Sequence, residues 1–243
     1  STKTTDSDTN RHIDLIEKRL SLINTITAAP KPSVSNMANF AATNYWTSTF
    51  SGNIKLIGTD NNNSPITYIQ LRLKAGAAFY PKKPGMPNIL AGILNSGISN
   101  NEEKVDNKNS LRKLGSSISF YVTDDNLVCN ISCLNDKFDL TMDIFKEILD
   151  HVDLENTDVI NSLVMQGYGT FKQKISVPSD LARIIFYQKL YPKSHVLHYP
   201  YSGSAKSLIG ITAEDVKDYF NNYVSSKDAK IISLSNIDKS KIE

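Results

Sequence analysis

The segment from Ile69 to Ala75 constrains the fold most. Ile69, Leu71, Leu73 and Ala75 alternate with Gln70, Arg72 and Lys74, so successive side chains fall on opposite faces, one apolar and one polar. That is a strand with one face in a core and the other toward water. After a Pro- and Gly-rich loop (81–87), Gly85 to Gly97 reads as a short buried helix. Gly97 stands just past its end, where a left-handed residue is favoured.

The rest of the chain supplies elements of both kinds. Residues 1–10 are polar. From Arg11 to Thr27, Ile13, Ile16, Leu20 and Ile23 form one helical stripe, with Ser7, Asp8 and Thr9 as candidate N-caps. This helix either packs on its own domain or forms an arm against a partner. Residues 28–48 read as a linker ending in an aromatic anchor, Tyr45-Trp46. The expected division is therefore an N-terminal arm and linker, 1–44, and a single domain, 45–243.

Within that domain, Ile54–Thr59 is strand-like. The turn cluster 60–65 suggests that it pairs with the 69–75 strand as a hairpin. A short helix, 106–114, stops at Gly115. Ser117–Thr123 and Leu127–Leu134 flank Asp124-Asp125-Asn126 as a second hairpin.

The pattern then turns helical. Asp136–Val152 places Phe138, Leu140, Ile144, Phe145, Ile148 and Leu149 on one broad face. Helices follow over 156–174, weakened by Gly167 and Gly169, and over 179–190, opened by Pro178. Residues 191–211 read as a loop. Thr212 caps a helix over 213–223, with Asp215 in capping-box position, and Lys230–Ser235 is a last strand. Strands come in hairpins and helices in a block. The expected class is α+β: a mainly antiparallel sheet with helices packed on one face.

Several chemistries are excluded early. A net charge of +2 is too small to mark nucleic acid or an anionic membrane as the main partner. No run approaches the roughly 18 apolar residues of a membrane span. Ser1 opens the chain without a charged-then-apolar leader, which processing would also produce and which settles no compartment. Cys129 and Cys133 lie four residues apart on one strand, about 13 Å between Cα atoms, too far for a disulfide. They read as buried free thiols.

There is no Gly-x-Ser-x-Gly elbow and no Gly-rich phosphate loop. Asp124-Asp125 and Glu102-Glu103 read as solvated charges. Of the four histidines, His12, His151, His195 and His198, only the last two are close in sequence, beside an aromatic Tyr-Pro-Tyr turn and away from any Cys. His151 suits a helix C-terminus.

The ordered set of blocks resembles the pitrilysin and mitochondrial-processing-peptidase family of zinc peptidases, over about residues 45–240. The likeness lies in Leu71–Ala77, Gly85–Gly97, Leu111–Ser116, His198–Tyr201 with Leu208–Asp215, and Ile232–Asp238. In catalytic members the helix reads Gly-x-x-His-x-x-Glu-His: two His one turn apart bind zinc, and the Glu takes a proton from water. Aligned on Gly85, those positions fall on Asn88, Ala91 and Gly92. The third ligand of such enzymes, a Glu ahead of a Pro, falls within Met165–Lys172 ahead of Pro178, a stretch without a carboxylate. All four positions lack the chemistry.

The resemblance therefore implies no catalytic residue and no metal ligand in this chain, and zinc only on a partner. It implies a non-catalytic subunit or half that shapes a chamber with a zinc-bearing homologue, where a peptide lies as an added strand along a sheet edge. Family subunits usually contain two such repeats, and this chain supplies one. The Arg/Tyr pair of inactive subunits belongs to the second repeat and is not carried over to Arg183 or Tyr187. The alternatives are a scaffold of the same fold, as in respiratory complexes, and a stand-alone peptide-binding module. The resemblance leaves the compartment open between a bacterial periplasm or cell envelope and a mitochondrion.

Overall fold

The structure is a computed structural model that describes residues 44–60, 64–80, 82–100 and 106–243, with 14, 15, 17 and 18. The chain divides into two units, Ser1–Ala42 and Thr43–Glu243. In the first, residues 14, 15, 17 and 18 are helical. The rest of the helix expected over 11–27, its caps and the linker as far as residue 43 lie outside the described residues.

The second unit runs β1 (Tyr45–Phe50), β2 (Ile54–Asp60), β3 (Ile66–Leu73), α1 (Met86–Ser96), α2 (Asn107–Leu114), β4 (Ser117–Val122) and β5 (Leu127–Leu134). Then come α3 (Phe138–Asp150), α4 (Thr157–Ile175), α5 (Pro178–Leu190), α6 (Ala205–Ile209), α7 (Ala213–Tyr223), β6 (Lys230–Ser235) and α8 (Lys239–Ile242). The strands form one sheet in the order β1-β2-β6-β3-β5-β4. Every neighbouring pair is antiparallel except β2 with β6. The α+β layer expected from the sequence is the one observed.

Three local expectations change. Tyr45 and Trp46 do not end a linker. They open β1, an edge strand, and Trp46 lies across Gly58, its register partner on β2. Nor do β2 and β3 pair. β6 runs between them, parallel to β2 and antiparallel to β3. The polar cluster at 60–65 is a turn signal in the sequence, but a turn signal does not encode which distant strand competes for the space. The insertion is sealed by a buried hydrogen bond between the Thr67 and Ser235 hydroxyls, 2.6 Å. Finally, 191–211 is not all loop. Val196–His198 forms a 3-10 turn, and Ser204 caps α6 in a capping box with Ser207. Five residues are too few to show a helical period.

The second hairpin, β4–β5, forms as expected. So does the Thr212–Asp215 capping box of α7.

The core fills the space between one face of the sheet and the helices. Ile69, Cys129, Ile131 and Cys133 from the strands meet Ile89, Leu90, Ile93 and Leu94 of α1, with Phe138, Ile148, Ile160, Val164 and Val216 from other helices. Leu140, expected on the buried face of α3, is 51% exposed. On the opposite sheet face Ile57, Tyr68 and Ile232 are exposed. Tyr219 of α7 is fully buried, and its hydroxyl donates to the carbonyl of Ala75 at 2.6 Å. This pins the end of β3 to the helical layer.

The next residue, Gly76, donates to Asp125 O. A Cβ there would lie 2.3 Å from backbone atoms of Asp125 and Asn126. Backbone cannot rotate away as a side-chain end can. Gly76→Ala is therefore expected to lower the unfolding free energy by about 1–3 kcal/mol, read as a lower urea midpoint at constant slope. An unchanged midpoint would mean that the β4–β5 turn yields freely.

Candidate functional site

The α1 helix is set by its two ends. Gly85 (φ 96°) precedes it and Gly97 (φ 65°) follows it, both left-handed, and Pro87 sits in the first turn. At Gly85 a Cβ would also strike Leu208 at 2.7 Å. The loop before α1 is tied to α7 by Lys83, which donates to Gly210 O at 2.7 Å and pairs with Asp215. Burial pushes the Asp215 carboxyl up, but the Lys83 ammonium and the Thr212 hydroxyl and N–H hold it below its ordinary value.

Met86, Pro87, Ile89, Leu90, Ala91, Ile93 and Leu94 are buried. What remains, besides Ser96 at the C-terminal end, is a stripe of Asn88, Gly92 and Asn95, spaced four and three residues apart, hence on one face. Each member is committed to an internal contact. Asn88 Nδ2 donates to Tyr201 O at 2.9 Å. Gly92 receives the Leu163 side chain of α4, and a Cβ there would lie 2.7 and 2.9 Å from the two Leu163 methyls. Asn95 donates from Nδ2 to Phe120 O at 2.7 Å and accepts Phe120 N–H at 2.8 Å.

These residues do not fit a zinc ion. Gly92 has no donor and Leu163 fills its space, while Ala91 is 4% exposed within the core. The Met165–Lys172 stretch lies on α4 and brings no carboxylate. Met165 is 61% exposed, and the space a Cβ at Gly167 would take abuts Leu208. Among the described residues no group of three or more His, Cys, Asp or Glu is placed to hold a metal.

The described histidines have local partners. His195 stacks on Tyr191 and accepts Leu197 N–H, His198 Nδ1 lies 2.8 Å from Tyr191 O, and His151 Nδ1 lies 2.8 Å from Glu147. His12 lies outside the described residues. Cys129 and Cys133 are buried free thiols; burial pushes the Cys129 thiol up to about 12 and that of Cys133 also upward.

Beside the N-terminus of α1 lies a cavity of about 240 Å³, bounded by α5, the turn after β3, the tip of the β4–β5 hairpin and the 196–202 segment. Tyr187, Tyr199 and Tyr201 line it, with Lys174, Arg183 and Asp124. From sequence, Arg183 and Tyr187 carry no role and Asp124 is a solvated turn charge. Lys174 carries no motif at all. Arg183 and Tyr187 lie one turn apart on α5, but no local pattern joins them to Lys174 or Asp124, which come from separate stretches of chain.

The insulinase family model (peptidase family M16) matches residues 56–185. Among solved structures, the chain is similar to a peptidase M16 inactive domain from Pseudomonas fluorescens, with a TM-score of 0.75 and 20% identity over 82% of this chain and 48% of that one. It is also similar to a protease from Helicobacter pylori, with a TM-score of 0.70 and 14% identity over 83% and 48%. At such identities the likeness is one of fold. The chain spans about half the length of these structures. No curated protein matches it by sequence.

Two outcomes follow from this geometry. Gly92→His must displace Leu163 and is expected to cost about 1–3 kcal/mol of stability. Adding Leu163→Ala recovers part of that cost as a coupling between the two sites. Strictly additive urea unfolding data would contradict the contact.

The second outcome concerns acid. A carboxylate held below its unfolded value of about 3.9 stabilises above that pH, and the contribution is lost as pH falls through the folded value. Asp215→Asn should therefore flatten the loss of stability below about pH 4. An acid limb unchanged in the variant would mean that the Lys83–Asp215 tie contributes nothing.

Proposed function

The chain belongs to the insulinase family, peptidase family M16, and we propose that it is a non-catalytic half of such a peptidase. In this reading it binds peptide and shapes the chamber beside a zinc-bearing homologous half or subunit. The observation that carries the reading is the middle of α1. Where a zinc helix needs two imidazoles and a carboxylate, this helix has Asn88, Ala91 and Gly92, and their space is taken by Tyr201, the core and Leu163.

The replacement is consistent chemically. A carboxylate at the Ala91 position would lie in the apolar core, where an unpaired charge is costly. An imidazole at Gly92 would have no room. Asn88 keeps a polar group but spends it on a backbone carbonyl. The helix has become a packing element, and a partner would have to supply the metal, the activated water and the general base. What remains for this half is surface: walls that exclude water and contacts that hold an extended chain.

Purified protein is expected to hold well under one zinc per chain and to show no chelator-sensitive cleavage of a quenched fluorescent peptide. Cleavage is expected when the zinc-bearing homologue that co-purifies from the native cell is added. Stoichiometric zinc with chelator-sensitive cleavage by this chain alone would overturn the proposal. Co-purification with a membrane complex that contains no zinc-bearing homologue would favour a scaffold role instead.

A further inference from the structure

β4 is an edge strand. An edge exposes backbone N–H and C=O groups on which a peptide can pair as an extra strand. At Phe120 both groups are taken. Asn95 donates to its carbonyl and accepts from its N–H, at 2.7 and 2.8 Å. A carboxamide offers one donor edge and one acceptor, as a peptide group does, so Asn95 stands where a neighbouring strand would. A peptide adding to β4 would have to break both bonds and displace the last turn of α1, which packs against that strand.

The 240 Å³ cavity is open by contrast. α5 turns Asp180, Arg183, Ile184 and Tyr187 into it, a single helix face. Its apolar walls come from Ile184, Ala78 and the tyrosines. Arg183 pairs with Asp180 at 2.9 Å. Among the described residues the Lys174 ammonium meets the Ser202 hydroxyl at 3.4 Å and the Tyr201 ring at 5.3 Å. Among the described residues neither Lys174 nor Asp124, on the far side, carries an ion pair. The site thus combines aromatic walls with one unpaired charge of each sign. Its volume is below the roughly 300–1,000 Å³ of sites for drug-sized ligands, which suits one side chain rather than a cofactor.

We propose that this cavity is the peptide subsite of the chain. It takes an aromatic or aliphatic side chain between Ile184, Tyr187 and Tyr201, with an acidic neighbour on Lys174 and a basic one on Asp124. The β4 edge, closed by Asn95, takes no strand. The assignment rests on the reading of the chain as a peptide-binding half.

The test is fluorescence anisotropy of the purified protein with a dansyl-labelled, Gly-flanked Lys-Phe-Asp peptide. Ala78→Trp fills the cavity, and Tyr187→Ala removes a wall. Each is expected to raise Kd about tenfold or more, as truncation of a buried aromatic anchor does. Asn95→Leu, which frees the β4 edge, is expected not to weaken binding. Tyr187 is 39% exposed, so its variant keeps the test decisive if Ala78→Trp fails to fold. Binding that survives both cavity variants would overturn the assignment while leaving peptide binding intact. A wild-type protein that binds no peptide, alone or with its zinc-bearing homologue, would remove the broader reading and the subsite with it.

Discussion

The burial of α1 is the constraint on which the rest of the second unit depends. Seven of its eleven residues are buried, and Met86 and Leu90 have no exposed surface. Full burial of an aliphatic side chain stabilises by roughly 1.5–3 kcal/mol, so the helix is a principal contributor to the core. Its neighbours are β4, α4 and α7. Left-handed glycines set where it begins and ends, and the Lys83 tie fixes the loop that delivers it. The sheet is covered on one face because this helix and its neighbours pack there.

That burial explains the character of the less buried stripe. A helix so enclosed has little room for bulky side chains on its last face. Gly92 allows α4 to approach through Leu163. Asn88 and Asn95 hydrogen-bond backbone groups of Tyr201 and of Phe120 on β4. These are packing and hydrogen-bonding duties, and they compete with metal chemistry, which needs the same face to hold donors aimed at a shared point. In this chain packing has the face, and the open, chemically mixed surface lies nearby between α5 and the β4–β5 tip.

Much of the fold was legible in order along the chain. The alternation at 69–75, the apolar helix ended by Gly97, the β4–β5 hairpin and the Thr212 cap are local patterns, and each is present. β1 was hidden because Tyr45–Phe50, with its exposed residues and polar neighbours, does not read as a buried strand. α6 was hidden because it is shorter than two helical turns. Aligned through the family resemblance, the sequence offers Asn88, Ala91 and Gly92 where zinc ligands and a general base would stand. The cavity was not legible, since Lys174, Asp124 and Tyr187 belong to different elements and share no spacing.

The amino-acid order alone settles most of the strands and helices and where the main helices stop. These follow from side-chain chemistry and from periods of two and 3.6 residues, which act over a few positions. Folding in three dimensions settles the rest. It places β6 between β2 and β3, sets Leu163 into the space beside Gly92, joins Asn95 to the edge of β4, and gathers distant charges around one cavity. Each of these is a contact between segments far apart in the chain. Such contacts are selected by how shapes and hydrogen-bonding groups fit once the whole core closes, and no local pattern records that competition.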